Sequence, residues 1–115
     1  MRILQLLLLT LCATASLAGE RGDIDAVTRG RSLAIMICAS CHMVAPDQPQ
    51  QPILRPPAPS FASIARRPTL DADWLRSFLT TTHRGADKPD GMPNPKLLDS
   101  HVRQVSAYLL SLRGR

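Results

Sequence analysis

Two cysteines and a histidine lie close together in the segment Cys38-Ala39-Ser40-Cys41-His42. Two thiols at this spacing can add to the two vinyl groups on one edge of a porphyrin. A histidine directly after the second thiol is then held where its imidazole can bind the porphyrin iron. The segment therefore predicts one covalently attached haem c, with Cys38 and Cys41 as attachment points and His42 as an iron ligand.

Other uses of such a cysteine pair fit the sequence less well. A thioredoxin-like redox pair needs a βαβ setting, and no segment of useful length shows the alternation typical of strands. A structural zinc site needs a second pair of ligands. The remaining alternative is a chance match in a protein that simply forms a Cys38–Cys41 disulfide.

A haem iron that only passes electrons is best served by two fixed ligands, and a thioether sulfur raises its reduction potential. Five residues are candidates for the second ligand: Met36, Met43, Met92, His83 and His101. Met36 and Met43 lie too near the haem-attachment segment to reach the opposite face of a haem. Met92 stands in the stiff loop Gly91–Pro95, which can hold a long side chain against the iron, and it is the predicted ligand. His83 remains the alternative, whereas His101 is expected at the surface.

The first eighteen residues are predicted to be a secretory signal peptide. Arg2 is followed by an apolar run, and Ser16 and Ala18 have the small side chains that signal peptidase requires. Cys12 is an ordinary residue of that run, and an uncleaved membrane anchor is the alternative. Residues 19–115 then form one domain, exported to the periplasm, with no membrane span after cleavage.

The periodicity of the remaining chain predicts an all-α fold with long loops. A first helix is expected from Asp23 to Cys41, with Asp23 or Asp25 as its N-cap. Residues 46–59 contain six prolines, which exclude helix and sheet ladder and predict an extended loop. The remaining predictions are a short helix over 60–66, a helix that Asp71 caps, and a last helix that begins near Asp99 or Ser100.

The C-x-x-C-H helix, the Gly91–Pro95 loop and the closing segment Val105–Leu112 together resemble the class I cytochromes c. The resemblance covers the mature chain and implies a compact helical fold whose first and last helices cross beside the haem. It places Gly30 at that crossing, against Tyr108 and Leu109. The family often has an aromatic residue where this chain has Ala34, which predicts a differently filled crossing.

In the same family, a proline carbonyl usually accepts a hydrogen bond from the proximal histidine. Pro57 and Pro59 are both candidates for that role here. The apolar haem pocket is expected to include four aromatic residues: Phe61, Trp74, Phe78 and Tyr108.

These expectations indicate a monomeric one-electron carrier between a dehydrogenase or membrane respiratory complex and an acceptor, with no substrate chemistry of its own. A dedicated cytochrome subunit of one oxidoreductase is the alternative, and a haem ligand sensor or peroxidase-like protein is a third possibility.

The formal net charge is +5. Basic residues could steer an acidic redox partner: Arg66, Arg67, Arg76, Arg84, Lys88 and Lys96. Nothing in the sequence favours binding of nucleic acid.

Overall fold

The computed structural model describes residues 2–81 and 91–115, and of residues 2–18 only the helical backbone. Four helices follow one another along the chain: α1 (Arg2–Cys38), α2 (Phe61–Ala65), α3 (Ala72–Thr80) and α4 (Asp99–Ser111). The described residues contain no strand, only an isolated bridge between His42 and Ala58. The predicted all-α fold is confirmed.

The first helix differs from the prediction at both ends. It begins at Arg2 and not near Asp23, so neither Asp23 nor Asp25 is an N-cap. The leucine-rich run is a strong helix former and no proline separates it from the following residues, so the helical hydrogen bonding continues through both. At the other end α1 stops at Cys38, whose carbonyl accepts from the N–H groups of Cys41 and His42 at 3.1 and 2.9 Å. In the described part of the chain, no helix is long and apolar enough to cross a membrane.

Helices α1 and α4 cross at Gly30, as the family resemblance implies. A Cβ atom at Gly30 would lie 1.9 Å from the Gln104 carbonyl oxygen and 3.0 Å from the Tyr108 Cβ. The two backbones therefore approach so closely that only glycine fits. One turn further along α1, Ala34 is fully buried, and Tyr108 and Leu109 of α4 are buried in the same core cluster.

The two short helices begin where the sequence predicts. The Ser60 hydroxyl accepts from the Ser63 N–H at 3.1 Å and caps α2. The Asp71 carboxylate accepts from the Trp74 N–H at 2.7 Å and caps α3. Leu70 and Leu75, on either side of that cap, are both buried, which fits a hydrophobic staple.

Residues 46–59, called the proline-rich loop below, are connected to α1 by an ion pair. Arg31 donates to the Asp47 carboxylate at 2.7 Å. The hydrogen bond from Arg31, reinforced by its charge, holds the pKa of the Asp47 carboxyl below its usual value. A carboxyl with a lowered pKa stabilises the fold above the pKa of the unfolded chain, about 3.9, and this contribution is lost as pH falls through the lower folded value.

We therefore expect a double-mutant cycle of Arg31→Gln and Asp47→Asn to show a small favourable coupling near neutral pH. The pair is solvent-exposed, so the coupling should be no larger than that of other surface pairs. Urea unfolding of the four proteins at pH 7 and at about pH 2 measures it. The coupling should vanish at the lower pH, and a coupling that persists there would contradict the assignment to the Asp47 carboxylate.

Candidate functional site

The two cysteines of the C-x-x-C-H segment are free thiols in the structure. Cys38 is the last residue of α1 and is buried in the core cluster, whereas Cys41 is half-buried in the turn that follows. Burial, with a smaller contribution from Cys41, raises the pKa of the Cys38 thiol to about 11. Neither sulfur is engaged in a disulfide.

The imidazole of His42 is fixed by the backbone of the proline-rich loop. Its Nδ1 lies 2.7 Å from the carbonyl oxygen of Pro59 and donates a hydrogen bond to it. Of the two prolines that the sequence left open, Pro59 and not Pro57 supplies the carbonyl. This bond selects the tautomer in which Nε2 carries a free lone pair, and it makes the ring a stronger donor to a metal.

The rings around His42 shield it from water. His42 is 9% exposed, and the Phe61 ring packs edge-on against it with centroids 5.7 Å apart. Phe61 in turn packs against Tyr108 at 6.3 Å. Of the four aromatic residues predicted for the pocket, these two are buried. The other two, Trp74 and Phe78, stack on each other at 4.8 Å, and Trp74 is 37% exposed.

Backbone hydrogen bonds hold the haem-attachment segment against the proline-rich loop. The carbonyl of Ser40 accepts from Ile53 at 2.8 Å, and that of Cys41 accepts from Ala58 at 3.1 Å. The loop therefore runs alongside the C-x-x-C-H segment. This register is what brings Pro59 to the His42 ring.

Met92 lies in a separate part of the chain and packs, partly buried, against the core cluster that contains Cys38. By contrast Met36 is 76% exposed on α1. Met43 is half-buried beside the proline-rich loop, and His101 is half-buried near the start of α4. The alternative ligand His83 lies outside the described residues.

Sequence reasoning missed two polar residues that organise these loops. Gln48 is buried and bonds the backbone that follows His42. Asn94 connects the Met92 loop to the end of α3: its amide nitrogen donates to the Thr80 carbonyl at 3.4 Å, and its amide oxygen accepts from the Lys96 N–H at 2.8 Å. No local pattern distinguishes either residue from an ordinary loop residue.

The hydroxyl of Tyr108, on α4, fixes the backbone at Val44, two residues after His42. It donates to the Val44 carbonyl at 3.0 Å in a buried setting, and burial raises the pKa of this phenol.

Tyr108→Phe should lower the free energy of unfolding by about 1–3 kcal/mol, because it leaves a buried carbonyl unpaired while the ring is kept. Urea unfolding measures the loss. Ser111→Ala, which removes a hydroxyl donor on the same helix from a partly buried site, should cost less. Equal costs would contradict the importance of the Val44 contact.

With this geometry, the comparisons with known proteins identify the class of protein. The cytochrome c family profile matches residues 27–113, so the chain belongs to the cytochrome c family, as a class I cytochrome c. It is similar to cytochrome c-552 from Bradyrhizobium diazoefficiens, with 35% identity over 101 residues, which cover 88% of this chain and 83% of that relative. No solved structure matches the chain. As in the rest of the family, the cofactor is covalent haem c with its iron.

Proposed function

We propose that the chain is a one-electron carrier in which Cys38 and Cys41 hold the haem while His42 and Met92 bind its iron. The hydrogen bond from His42 Nδ1 to the Pro59 carbonyl carries this proposal, because it leaves Nε2 as the only ring nitrogen with a lone pair for iron. The position of Cys38 one turn before His42 and the packing of Met92 on the same core support it. When bound, haem supplies a reversible one-electron change at iron.

The protein's own residues keep that change fast and reversible. Pro59 holds the His42 ring in one orientation, and Phe61, which packs against Tyr108, covers one side of it. Asn94 restrains the loop that carries Met92. Ligands fixed in this way reorganise little when the iron changes charge. The proposal assigns the chain no catalytic residue and no substrate chemistry.

The carrier is proposed to work in the periplasm as a monomer, after removal of residues 1–18 by signal peptidase. Its partners would be redox proteins, a dehydrogenase or membrane respiratory complex on one side and an acceptor on the other. The apolar run of the first eighteen residues supports export. Four of the basic residues predicted to steer such partners are exposed: Arg66, Arg67, Arg76 and Lys96. Arg84 and Lys88 lie outside the described residues.

Optical spectra of the oxidised and reduced holoprotein, with and without carbon monoxide, test the proposal. A carrier with two fixed ligands should be low-spin in both states and should not bind carbon monoxide. High-spin iron, or rapid carbon monoxide binding, would contradict it and favour a sensor or a peroxidase-like protein.

Mass spectrometry of the periplasmic protein should give Gly19 as its first residue, and a retained Arg2 would contradict cleavage.

A dedicated subunit of one oxidoreductase is the second candidate, favoured by the surface of the proline-rich loop. Ile53 is 74% exposed and Leu54 is 42% exposed. Beside them lies an open cleft of about 350 Å³, lined by Met43, Gln51, Pro52, Arg55, Pro57, Ala58 and Ser60. Gel filtration of native extract separates the two candidates, because a free carrier elutes as a small monomer whereas a subunit elutes with a large enzyme.

A further inference from the structure

Gln48 is a buried polar residue in the loop that follows the haem-attachment segment. It lies six residues after His42 and is 6% exposed. Burial of an amide is unfavourable unless its hydrogen-bonding groups find partners. Gln48 meets this condition entirely within the protein, through four contacts with the backbone of its own loop.

The amide of Gln48 uses both its acceptor and its donor groups. Its oxygen accepts from the Val44 N–H at 2.6 Å and from the Ala45 N–H at 3.2 Å. Its nitrogen donates to the Gln50 carbonyl at 2.7 Å and, in the longest of the four contacts, to the His42 carbonyl at 3.4 Å. A primary amide has two acceptor and two donor positions, and backbone groups of residues 42–50 occupy all four.

Two carbonyls of this segment are bonded to other elements. The Met43 carbonyl accepts from the Phe61 N–H at 2.9 Å, and the Val44 carbonyl accepts from the Tyr108 hydroxyl at 3.0 Å. Gln48 thus supplies an acceptor for the N–H groups of Val44 and Ala45. Helices α2 and α4 supply donors for the carbonyls of Met43 and Val44. Together they fix the backbone on the C-terminal side of His42.

We infer that Gln48 is a positioning residue for His42, which keeps the imidazole aligned with the Pro59 carbonyl and so sets its strength as an iron ligand. This inference rests on the proposed function, because it takes His42 as the ligand. Loss of the Gln48 contacts would free the backbone next to His42. The ring could then tilt, and its 2.7 Å bond to Pro59 would lengthen. A weaker bond makes the imidazole a poorer donor, which favours ferrous iron and raises the reduction potential.

Gln48→Leu tests the inference in the ferric holoprotein, because leucine keeps most of the volume and removes all four hydrogen bonds. Exchange of the His42 Nδ1 proton with solvent is followed by nuclear magnetic resonance, with the Val105 N–H, buried within α4, as the reporter of global opening. We expect the ring proton to exchange at least about tenfold faster relative to the Val105 proton, and the reduction potential to rise. Gln50→Leu is the matched control, since that side chain is exposed and neither quantity should change.

Equal acceleration of both protons, with an unchanged potential, would reduce Gln48 to a general stabilising residue and overturn the inference. If Gln48→Leu fails to mature with haem, Gln48→Asn takes its place. Asparagine keeps the amide, but it is one methylene shorter and does not reach both N–H groups. Should the wild-type protein show no paramagnetically shifted His42 resonance, the proposed ligation fails first, and the role of Gln48 fails with it.

Discussion

Gly30→Ala should destabilise the holoprotein by about 2 kcal/mol or more, although alanine is the better helix former by about 1 kcal/mol. The reason is the 1.9 Å that separates a Cβ at this position from the Gln104 carbonyl oxygen. That oxygen belongs to the backbone of α4, so no side-chain rotation relieves the overlap and the two helices must move apart. In a domain of this size such a loss lowers the melting temperature by roughly 10 °C.

Thermal and urea unfolding of the purified holoprotein measure this effect, and Gly22→Ala is the control. Gly22 lies on the same helix with nothing within 4 Å of its Cβ position. Its replacement should leave the stability unchanged or raise it slightly, because only helix propensity changes. Gly30→Val, with a larger side chain, should prevent accumulation of holoprotein. A Gly30→Ala protein as stable as the wild type would show that α1 and α4 do not cross at this residue.

Met92→Ala should convert a low-spin protein inert to carbon monoxide into one that binds it. Without the Met92 thioether the iron loses its proposed sixth ligand. The optical absorption band that a methionine–iron bond produces should disappear, and the ferrous form should no longer be favoured. We expect the reduction potential to fall, because axial ligands set haem potentials over a range of roughly 0.8 V and the thioether favours the ferrous form. Optical spectra and a redox titration measure these changes.

Loss of packing must be separated from loss of the ligand, because Met92 also contacts the core cluster. Met92→Leu keeps the volume of the side chain and removes only the sulfur. It should therefore reproduce the spectroscopic change with a smaller loss of stability. Met36→Leu makes the same chemical change at a 76% exposed position and should alter neither property. Spectra of Met92→Leu identical to those of the wild type would eliminate Met92 and make His83 the leading candidate.

Much of the fold was predictable because its determinants lie close together in the sequence. Asp71 caps α3 through the N–H of Trp74, three residues away, and Ser60 caps α2 in the same manner. The predicted start of α1 at Asp23 was wrong, because the helix continues from the leucine-rich run through Gly19 and Gly22 with no proline to stop it. Local propensity therefore decided these elements, in the correct predictions as well as in the wrong one.

The sequence by itself determined the chemistry of the protein: the C-x-x-C-H spacing specifies covalent haem c, and the family resemblance places Gly30 at the helix crossing. Only the tertiary structure decided which proline carbonyl receives the His42 proton, because Pro57 and Pro59 are equivalent until the loop's register along the C-x-x-C-H segment is known. The role of Gln48 also depends on the fold. Its amide bonds backbone groups within six residues of itself, but the Met43 and Val44 carbonyls of that segment are held by α2 and α4, which lie far along the chain. Spacing along the chain fixes contacts within a helical turn, whereas contacts between distant segments depend on how the whole chain packs.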